Sequence, residues 1–146
     1  MDPAAYDAWY ASQRGRWIGD VETALLLRLL ECRGGDAILD VGCGTGYFSR
    51  RLAQAGFRVT GIDNDPGALG FAASKDAGIR YLQADARRLP FADRSFDCAV
   101  AVTSLCFIEP ASFGWKSATQ PRTAGRAGTR RAPRVPGRGN CGRPPQ

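Results

Sequence analysis

The chain has 146 residues, 44% of them hydrophobic, which is an ordinary proportion for one globular domain with its own core. Its net charge of +6 arises at the carboxyl-terminal end, because residues 1–114 hold 12 Lys or Arg against 14 Asp or Glu, whereas residues 115–146 hold 8 Lys or Arg and no acid. No apolar run approaches the roughly 20 residues of a membrane span, and none follows a basic amino terminus, so we expect a soluble, cytoplasmic chain that is not exported.

Five cysteines are spread along the chain, which contains no histidine. They are Cys32, Cys43, Cys98, Cys106 and Cys141. Their number is odd, and no two of them form a Cys-x-x-Cys pair. The sequence therefore predicts neither a metal site nor a disulfide framework.

The first predicted helix begins at Asp20, whose side chain can cap it, and runs to about Glu31. Gly34-Gly35 ends it. An apolar stripe makes the helix amphipathic and consists of Val21, Leu25, Leu26, Leu29 and Leu30.

A strand, a glycine cluster and a second helix follow. Residues Ala37–Val41 are apolar on both faces of the strand apart from Asp40, as expected for a strand buried between two layers. After the glycines, apolar residues recur at helical spacing, and Gly56 ends this helix. The recurring residues are Phe48, Leu52 and Ala55.

Strands and helices continue to alternate. Further strands are predicted at residues 57–62, 79–84 and 96–102. Asp65 can cap the intervening helix, with Pro66 at its first position and an end near Asp76. Alternation of this kind predicts a parallel sheet wrapped by helices on both faces, with right-handed crossovers.

From residue 116 onward the sequence changes character. Val135 is the only large aliphatic residue there, and Arg, Pro, Gly, Ala and Thr dominate. Such a segment buries too little apolar surface to offset about 1–2 kcal/mol per residue of backbone ordering. We therefore expect a folded domain over residues 1–114 and a disordered, Arg/Pro/Gly-rich tail over residues 115–146.

The glycine cluster, Gly42-Cys43-Gly44-Thr45-Gly46, lies between a strand and a helix. Glycines permit a tight turn and let the backbone approach a ligand closely, and the start of the helix offers free N–H groups. The alternative interpretation is that the glycines only form the loop between the strand and the helix and bind no ligand.

Acidic residues stand at the ends of three predicted strands: Asp40, Asp63 and Asp85. Parallel sheets bind ligands beyond the carboxyl ends of their strands, so these carboxylates are candidates for ligand contact. Asp63 lies 17 residues beyond Gly46, a separation that suits a carboxylate accepting both hydroxyls of a ribose, although a turn or helix cap explains it equally well. Asp85 is either a loop acid or an acceptor for an exocyclic amine such as that of adenine.

The glycine spacing distinguishes two kinds of nucleotide cofactor. A dinucleotide fingerprint requires a small residue at its sixth position, where this chain has Tyr47. Asp40 also places negative charge near the expected position of a pyrophosphate, whereas it suits a cation such as an amino group or a sulfonium. The loop therefore favours an adenosine cofactor that carries positive charge.

Four segments resemble, in sequence and in order, motifs of the class I S-adenosylmethionine-dependent methyltransferases. They are Ile-Leu-Asp-Val-Gly-Cys-Gly-Thr-Gly at residues 38–46, Gly-Ile-Asp at 61–63, Gln-Ala-Asp at 83–85 and Leu-Pro-Phe-Ala-Asp-Arg-Ser-Phe-Asp at 89–97. The resemblance covers residues 6–109 and is strongest to the ubiquinone/menaquinone-biosynthesis type, methyltransferase type 11. It implies a Rossmann-like, doubly wound sheet in the order 3-2-1-4 and SN2 transfer of a methyl group from S-adenosyl-L-methionine to a small-molecule acceptor.

The resemblance also implies which residues hold the cofactor. The glycine loop would hold the methionine part, the acid after the second strand the ribose, and the acid after the third strand the adenine. The implied cofactor-binding residues are Asp40, Gly42, Cys43, Gly44, Gly46, Asp63, Asn64, Asp85 and Ala86. Tyr6, Trp9 and Tyr10 resemble the aromatic amino-terminal segment of the family. Glu109 is a weak candidate for a catalytic base, because a place in the first turn of the next helix explains it better.

The chain departs from the family after the fourth strand, since no further strands are visible in residues 115–146. We therefore expect a truncated sheet that folds poorly and has little or no activity. One interpretation of the tail is a basic arm that binds nucleic acid or another polyanion. The other interpretation, which we favour, is a reading-frame change near Gly114, because a GC-rich gene translated out of frame often yields a sequence rich in Arg, Pro, Gly and Ala. A cofactor-binding module without catalysis is a further alternative.

Overall fold

The computed structural model describes residues 2–102 and places a parallel sheet at their centre. The helices of this part are α1 (Pro3–Ala11), α2 (Gln13–Leu29), α3 (Tyr47–Gln54) and α4 (Pro66–Lys75). Its strands are β1 (Ala37–Val41), β2 (Arg58–Asp63), β3 (Arg80–Gln83) and β4 (Cys98–Val100). The strand order is β3-β2-β1-β4, which confirms the predicted Rossmann-like topology.

The strand register brings two acidic residues to the same edge of the sheet. All three strand pairs are parallel, so the carboxyl ends of the strands share one edge. Asp40 of β1 lies opposite Gly61 of β2, two residues before Asp63. The ends of β1 and β2 therefore lie side by side, and their carboxylates with them.

The two faces of the sheet are covered differently. On one face, Ile38 of β1 packs with Leu52 of α3 and with leucines at the end of α2, and α4 contacts β2 and β3. On the other face, Leu39 packs with Phe96 of segment 84–97, which contains no helix. The expectation of helices on both faces is thus met on one face only within residues 2–102.

Helix α2 begins at Gln13, which corrects the predicted start at Asp20. Ser12 is the cap, because its Oγ accepts a hydrogen bond from the N–H of Gly15 at 3.0 Å. Asp20 lies within the helix and pairs instead with Arg51 of α3. Serine and aspartate cap helices about equally well, so their local sequence does not distinguish the two starting points.

Two glycines explain why the first two turns of α2 lack a helical pattern in the sequence. Glycine disfavours a helix by about 1 kcal/mol relative to alanine. A Cβ on Gly15 would collide with the backbone of Trp9, and one on Gly19 would collide with the ring of Tyr47. Close packing of α2 against α1 and α3 therefore requires residues that weaken the helical pattern.

The predicted apolar stripe of α2 is divided between the core and the surface. Leu26 and Leu30 pack against the core, together with Leu27. Three others, Val21, Leu25 and Leu29, are 50%, 53% and 69% exposed. The buried face of the first turns is formed by small residues, Gly15, Gly19 and Thr23, which hydropathy does not single out.

Helix α1 was not predicted from the sequence, whereas the elements after α2 follow the sequence predictions with small shifts. β1 has the predicted bounds, and α4 is capped by Asp65, whose Oδ1 accepts from the N–H groups of Gly67 and Ala68 at 2.8 and 3.3 Å. Pro66 occupies the first turn of α4, as predicted. β2 and β3 start one residue late, and β4 is three residues long, shorter than the predicted span of 96–102.

The structure contains a disulfide that the sequence did not predict. Cys32, in the connection between α2 and β1, is bonded to Cys98, the first residue of β4, with Cα atoms 6.7 Å apart. The two residues are separated by 66 positions, so only the fold brings them together. Within residues 2–102, the bond ties the outermost strand β4 to the segment that follows α2.

Several expectations concern residues outside 2–102. They are the domain boundary near residue 114, the disorder and polyanion binding of residues 115–146, and the candidate base Glu109. None of the helices α1 to α4 has the length and continuous apolar character of a membrane crossing.

Candidate cofactor site

The glycine loop, residues 42–46, connects β1 to α3 at the carboxyl edge of the sheet. Gly42, Gly44 and Gly46 have φ angles of 72°, 53° and 73°, a region that favours glycine because it has no Cβ. The N–H groups of Gly42 and Cys43 both donate to the carbonyl oxygen of Ile62, at 2.8 and 2.9 Å. These hydrogen bonds fold the loop back onto the end of β2.

Asp63 holds the loop from the neighbouring strand. Its Oδ2 accepts a hydrogen bond from the N–H of Gly44 at 2.8 Å, and its Oδ1 accepts from the N–H of Asp65 at 3.0 Å. The turn interpretation left open by the sequence is therefore confirmed, whereas contact with a ribose stays a prediction. Each oxygen retains a second lone pair with which it can accept from a ligand hydroxyl.

A cavity of about 320 Å³ lies at this edge of the sheet, within the usual range for small-molecule sites. It is lined by Tyr6, Tyr10, Asp40, Gly42, Cys43, Gly44, Thr45, Tyr47, Phe48, Ile62, Asp63, Asn64, Ala84, Ala86 and Val102. The described lining contains two carboxylates and no lysine or arginine. Its electrostatic character therefore favours a ligand with positive charge over a phosphate.

Asp40 is a buried acid at the wall of this cavity. Its side chain is 2% exposed, and the hydroxyl of Ser49 donates to its Oδ2 at 2.6 Å. Burial raises the pKa of Asp40 to about 6, the Ser49 hydrogen bond opposes this rise, and the nearby charge of Asp63 adds to it. A buried carboxylate with one hydrogen bond is well suited to pair with a cation.

Cys43 contributes a thiol to the cavity wall. Burial raises its pKa above the ordinary value, and the charges of Asp40 and Asp63 raise it further. The thiol therefore stays protonated near neutral pH and acts as an apolar surface. A thiolate nucleophile at this position is not supported.

Aromatic rings from α1 and α3 form the opposite wall. Tyr10 of α1 stacks on Tyr47 of α3, with ring centroids 3.8 Å apart and planes inclined by 15°. Phe48 meets both rings edge to face, and burial raises the pKa of Tyr10. Tyr47, which argued against a dinucleotide fingerprint, thus has a packing role at the first turn of α3.

The structure brings most of the expected cofactor residues to the cavity. Those that line it are Asp40, Gly42, Cys43, Gly44, Asp63, Asn64 and Ala86. Tyr6 and Tyr10 of the aromatic segment line it as well, and Trp9 does not. Their assignment as cofactor contacts stays a prediction.

Gly46 and Asp85 are not part of the cavity wall. A Cβ on Gly46 would meet the hydroxyl of Tyr81 and the side chain of Ala72, so this glycine serves the packing of α3 onto the sheet. The Asp85 carboxylate accepts hydrogen bonds from Arg87 Nε and Nη2, at 3.0 and 2.5 Å, which hold its pKa at about 2. Contact between Asp85 and an adenine amine stays a prediction.

Four lining residues that are not aromatic were missed from the sequence: Thr45, Ile62, Ala84 and Val102. Thr45 could have been found, because it lies between two loop glycines, and its buried Oγ1 has no hydrogen-bond partner within residues 2–102. The other three are apolar residues at or just beyond strand ends. Nothing in their residue types distinguishes these three from residues of the hydrophobic core.

A parallel sheet of order 3-2-1-4, with a glycine loop after β1 and acids ending β1 and β2, defines the class of Rossmann-like proteins that bind a nucleoside cofactor at the carboxyl edge. Residues 38–116 match the family model described as "Methyltransferase domain", and the chain belongs to this family. The match, together with the relatives below, places the chain in the class I S-adenosylmethionine-dependent methyltransferases, a family whose cofactor is S-adenosyl-L-methionine.

Known proteins support this assignment. The malonyl-[acyl-carrier protein] O-methyltransferase of Serratia marcescens is 37% identical over 110 residues, which are 74% of this chain and 41% of that protein. The S-adenosylmethionine-dependent methyltransferase of Mesorhizobium loti is 32% identical, with a TM-score of 0.58 over 66% of this chain and 48% of that one. A Methanococcus maripaludis protein superposes with a TM-score of 0.68 over 81% of this chain and 57% of that one; its 18% identity shows the fold alone.

The matched part of the chain spans less than half the length of its Serratia marcescens relative. The finer resemblance to the ubiquinone/menaquinone-biosynthesis type stays a prediction.

Proposed function

We propose that the cavity at the carboxyl edge binds S-adenosyl-L-methionine through Asp40, Asp63 and the glycine loop. The observation that carries the proposal is the charge of the cavity lining. Among residues 2–102, the side chains that line the cavity include two carboxylates and no lysine or arginine. Asp40 would face the cationic methionine part of the cofactor, and Asp63 would accept hydrogen bonds from the ribose hydroxyls. Asn64 and Ala86, which follow β2 and β3, would contact the nucleoside.

We further propose that the domain supports methyl transfer to an oxygen nucleophile. When bound, the cofactor supplies an electrophilic methyl group; the new bond to oxygen forms as the bond from carbon to sulfur breaks, which leaves S-adenosylhomocysteine. The residues of this chain would align the reactants and exclude water, and an acceptor carboxylate would need no base. The aromatic wall of Tyr6, Tyr10 and Phe48 supports the exclusion of water.

The acceptor that we propose is a small molecule, free or attached to an acyl carrier protein. The support is the name of relatives such as the Serratia marcescens enzyme, of which this chain matches 41%. Glu109 stays a candidate base for acceptors that must lose a proton. We also keep the cytoplasm as the proposed location; because cytosolic thiols are normally kept reduced, this proposal requires that the fold does not depend on the Cys32–Cys98 bond.

Isothermal titration calorimetry with S-adenosylhomocysteine tests the cofactor proposal. We expect binding with one site per chain, at least tenfold weaker binding in Asp63→Ala, and unchanged binding in Asp93→Asn, which alters an exposed loop acid without a hydrogen-bond partner among those described. NAD serves as the competing ligand and is expected not to bind. A folded sample that binds NAD but not S-adenosylhomocysteine would contradict the proposal.

A cofactor-binding module without catalysis is the second candidate, because the chain matches less than half of its Serratia marcescens relative. Both candidates predict the same titration and differ in turnover. Formation of S-adenosylhomocysteine from S-adenosyl-L-methionine, measured with malonyl-acyl carrier protein and with free small carboxylic acids, separates them. Binding without product for every acceptor would favour the module.

A further inference from the structure

Arg50 of α3 joins two parts of the cavity wall through one guanidinium group. Its Nη1 donates to the carbonyl oxygen of Thr45 at 2.7 Å, and its Nη2 donates to Oδ1 of Asp7 at 2.6 Å. Thr45 belongs to the glycine loop, and Asp7 belongs to α1. The side chains of Arg50 and Asp7 are each 17% exposed, so this ion pair is better shielded from water than a surface pair.

Helix α1 contributes directly to the cavity through the residues on either side of Asp7. Tyr6 and Tyr10 both line the cavity, and Tyr10 is 6% exposed in its stack on Tyr47. The distance of α1 from the glycine loop therefore sets the width of the cavity. Arg50 is the side chain that connects the two by hydrogen bonds.

The neighbouring ion pair has a different character. Arg51 pairs with Asp20 of α2, and its side chain is 29% exposed whereas that of Asp20 is 65% exposed. Neither residue lines the cavity, and neither has a hydrogen bond to the glycine loop among those described. This pair supplies a matched control on the same helix.

We propose that Arg50 is a positioning residue that couples the glycine loop to α1, so that a ligand seated on the loop is enclosed by Tyr6 and Tyr10. The proposal rests on the proposed function, since it requires the cavity to bind the cofactor. The planar guanidinium can donate in two directions at once, which a lysine ammonium on a single stem cannot reproduce at both sites. Loss of either contact is expected to loosen α1 and speed ligand release.

The test compares wild type with Asp7→Asn, Arg50→Lys and Asp20→Asn. Calorimetry and stopped-flow dissociation with S-adenosylhomocysteine are expected to show about tenfold weaker binding for Asp7→Asn and Arg50→Lys, arising from faster release, and less than a twofold change for Asp20→Asn. Hydrogen exchange at saturating ligand gives a second readout. Wild type and Asp20→Asn are expected to gain protection of the amides of residues 6–10, and Asp7→Asn is expected to gain little even when saturated.

Two results would overturn the proposal in distinguishable ways. If wild type binds and both Asp7→Asn and Arg50→Lys match it within twofold, with normal protection of α1, Arg50 has no positioning role and the proposed function stands. If a folded wild type does not bind, the proposed function fails and this inference fails with it. Equal unfolding midpoints of Asp7→Asn and Asp20→Asn exclude a general loss of stability as the cause of weaker binding.

Discussion

The hydroxyl of Ser49 donates a 2.6 Å hydrogen bond to the carboxylate of Asp40, and both side chains are almost completely buried. Ser49 lies in α3 and Asp40 in β1, so this contact links the helix that follows the glycine loop to the strand that precedes it. It gives the buried carboxylate a single hydrogen bond from a side chain and leaves its charge without a cationic partner within residues 2–102.

Replacing Asp40 by asparagine is expected to stabilise the free protein at neutral pH. Because the folded-state pKa is about 6 and the ordinary value is 3.8, the folded protein binds the proton more tightly than the unfolded chain. Stability from this group is complete below about pH 4 and is lost as pH rises through about 6, a cost of about 3 kcal/mol. Urea unfolding from pH 4 to 8 should show this decline in stability for wild type and for Asp93→Asn, and no such decline for Asp40→Asn. A decline of the same size in Asp40→Asn would contradict the prediction.

Cofactor binding is expected to strengthen as pH rises through 6. The cationic group of S-adenosylhomocysteine is its α-ammonium, since its sulfur carries no charge. This group requires the ionised form of Asp40, which is about ten times more populated at pH 7 than at pH 5 for a pKa of about 6. Affinity for S-adenosylhomocysteine should therefore increase about tenfold over this range, with proton release near pH 6 that makes the calorimetric enthalpy depend on the buffer. An identical pH dependence in Asp40→Asn would assign the effect to another group.

Replacing Gly46 by alanine is expected to destabilise the fold by about 2 kcal/mol or more, because the new Cβ needs a φ of 73° and would collide with the Tyr81 hydroxyl. Gly44→Ala is the matched control, since its φ is 53° but no atom lies within 4 Å of the new Cβ. Tyr81→Phe removes a buried hydroxyl that has no partner within residues 2–102 and should partly rescue Gly46→Ala in urea unfolding. Equal losses of unfolding free energy in the two glycine variants would show that the destabilisation arises from backbone strain alone and not from the collision with Tyr81.

Reducing the Cys32–Cys98 disulfide is expected to lower the free energy of unfolding. In the chain-entropy account, a bond that closes a loop of 66 residues contributes about 4 kcal/mol. A reductant should therefore lower the urea midpoint of wild type and of Cys43→Ser, and should leave Cys98→Ser unchanged. Maleimide labelling of Cys32 and Cys98 under native, non-reducing conditions would show instead that the bond is not formed.

The elements around the site could be predicted because their signals are local. The bounds of β1, the Asp65 cap of α4 and the glycine loop all depend on residue types within a few positions of one another. The strand order was predicted from the resemblance to the methyltransferase family, whereas the alternation of strands and helices predicted only that the sheet is parallel. The start of α2 at Gln13 was not predicted, because Gly15 and Gly19, which allow close contacts with α1 and α3, weaken the helical pattern.

By itself the sequence determined the family, the glycine loop and the acids at the strand ends, because each is encoded by short segments whose chemistry is independent of distant residues. The tertiary structure decided which of those acids face the cavity: Asp40 and Asp63 do, whereas Asp85 is held by Arg87. It also decided that Cys32 meets Cys98 and that Arg50 joins Asp7 to Thr45. The disulfide and the Arg50–Asp7 ion pair join residues from separate elements, and their geometry exists only after the strands and helices have packed.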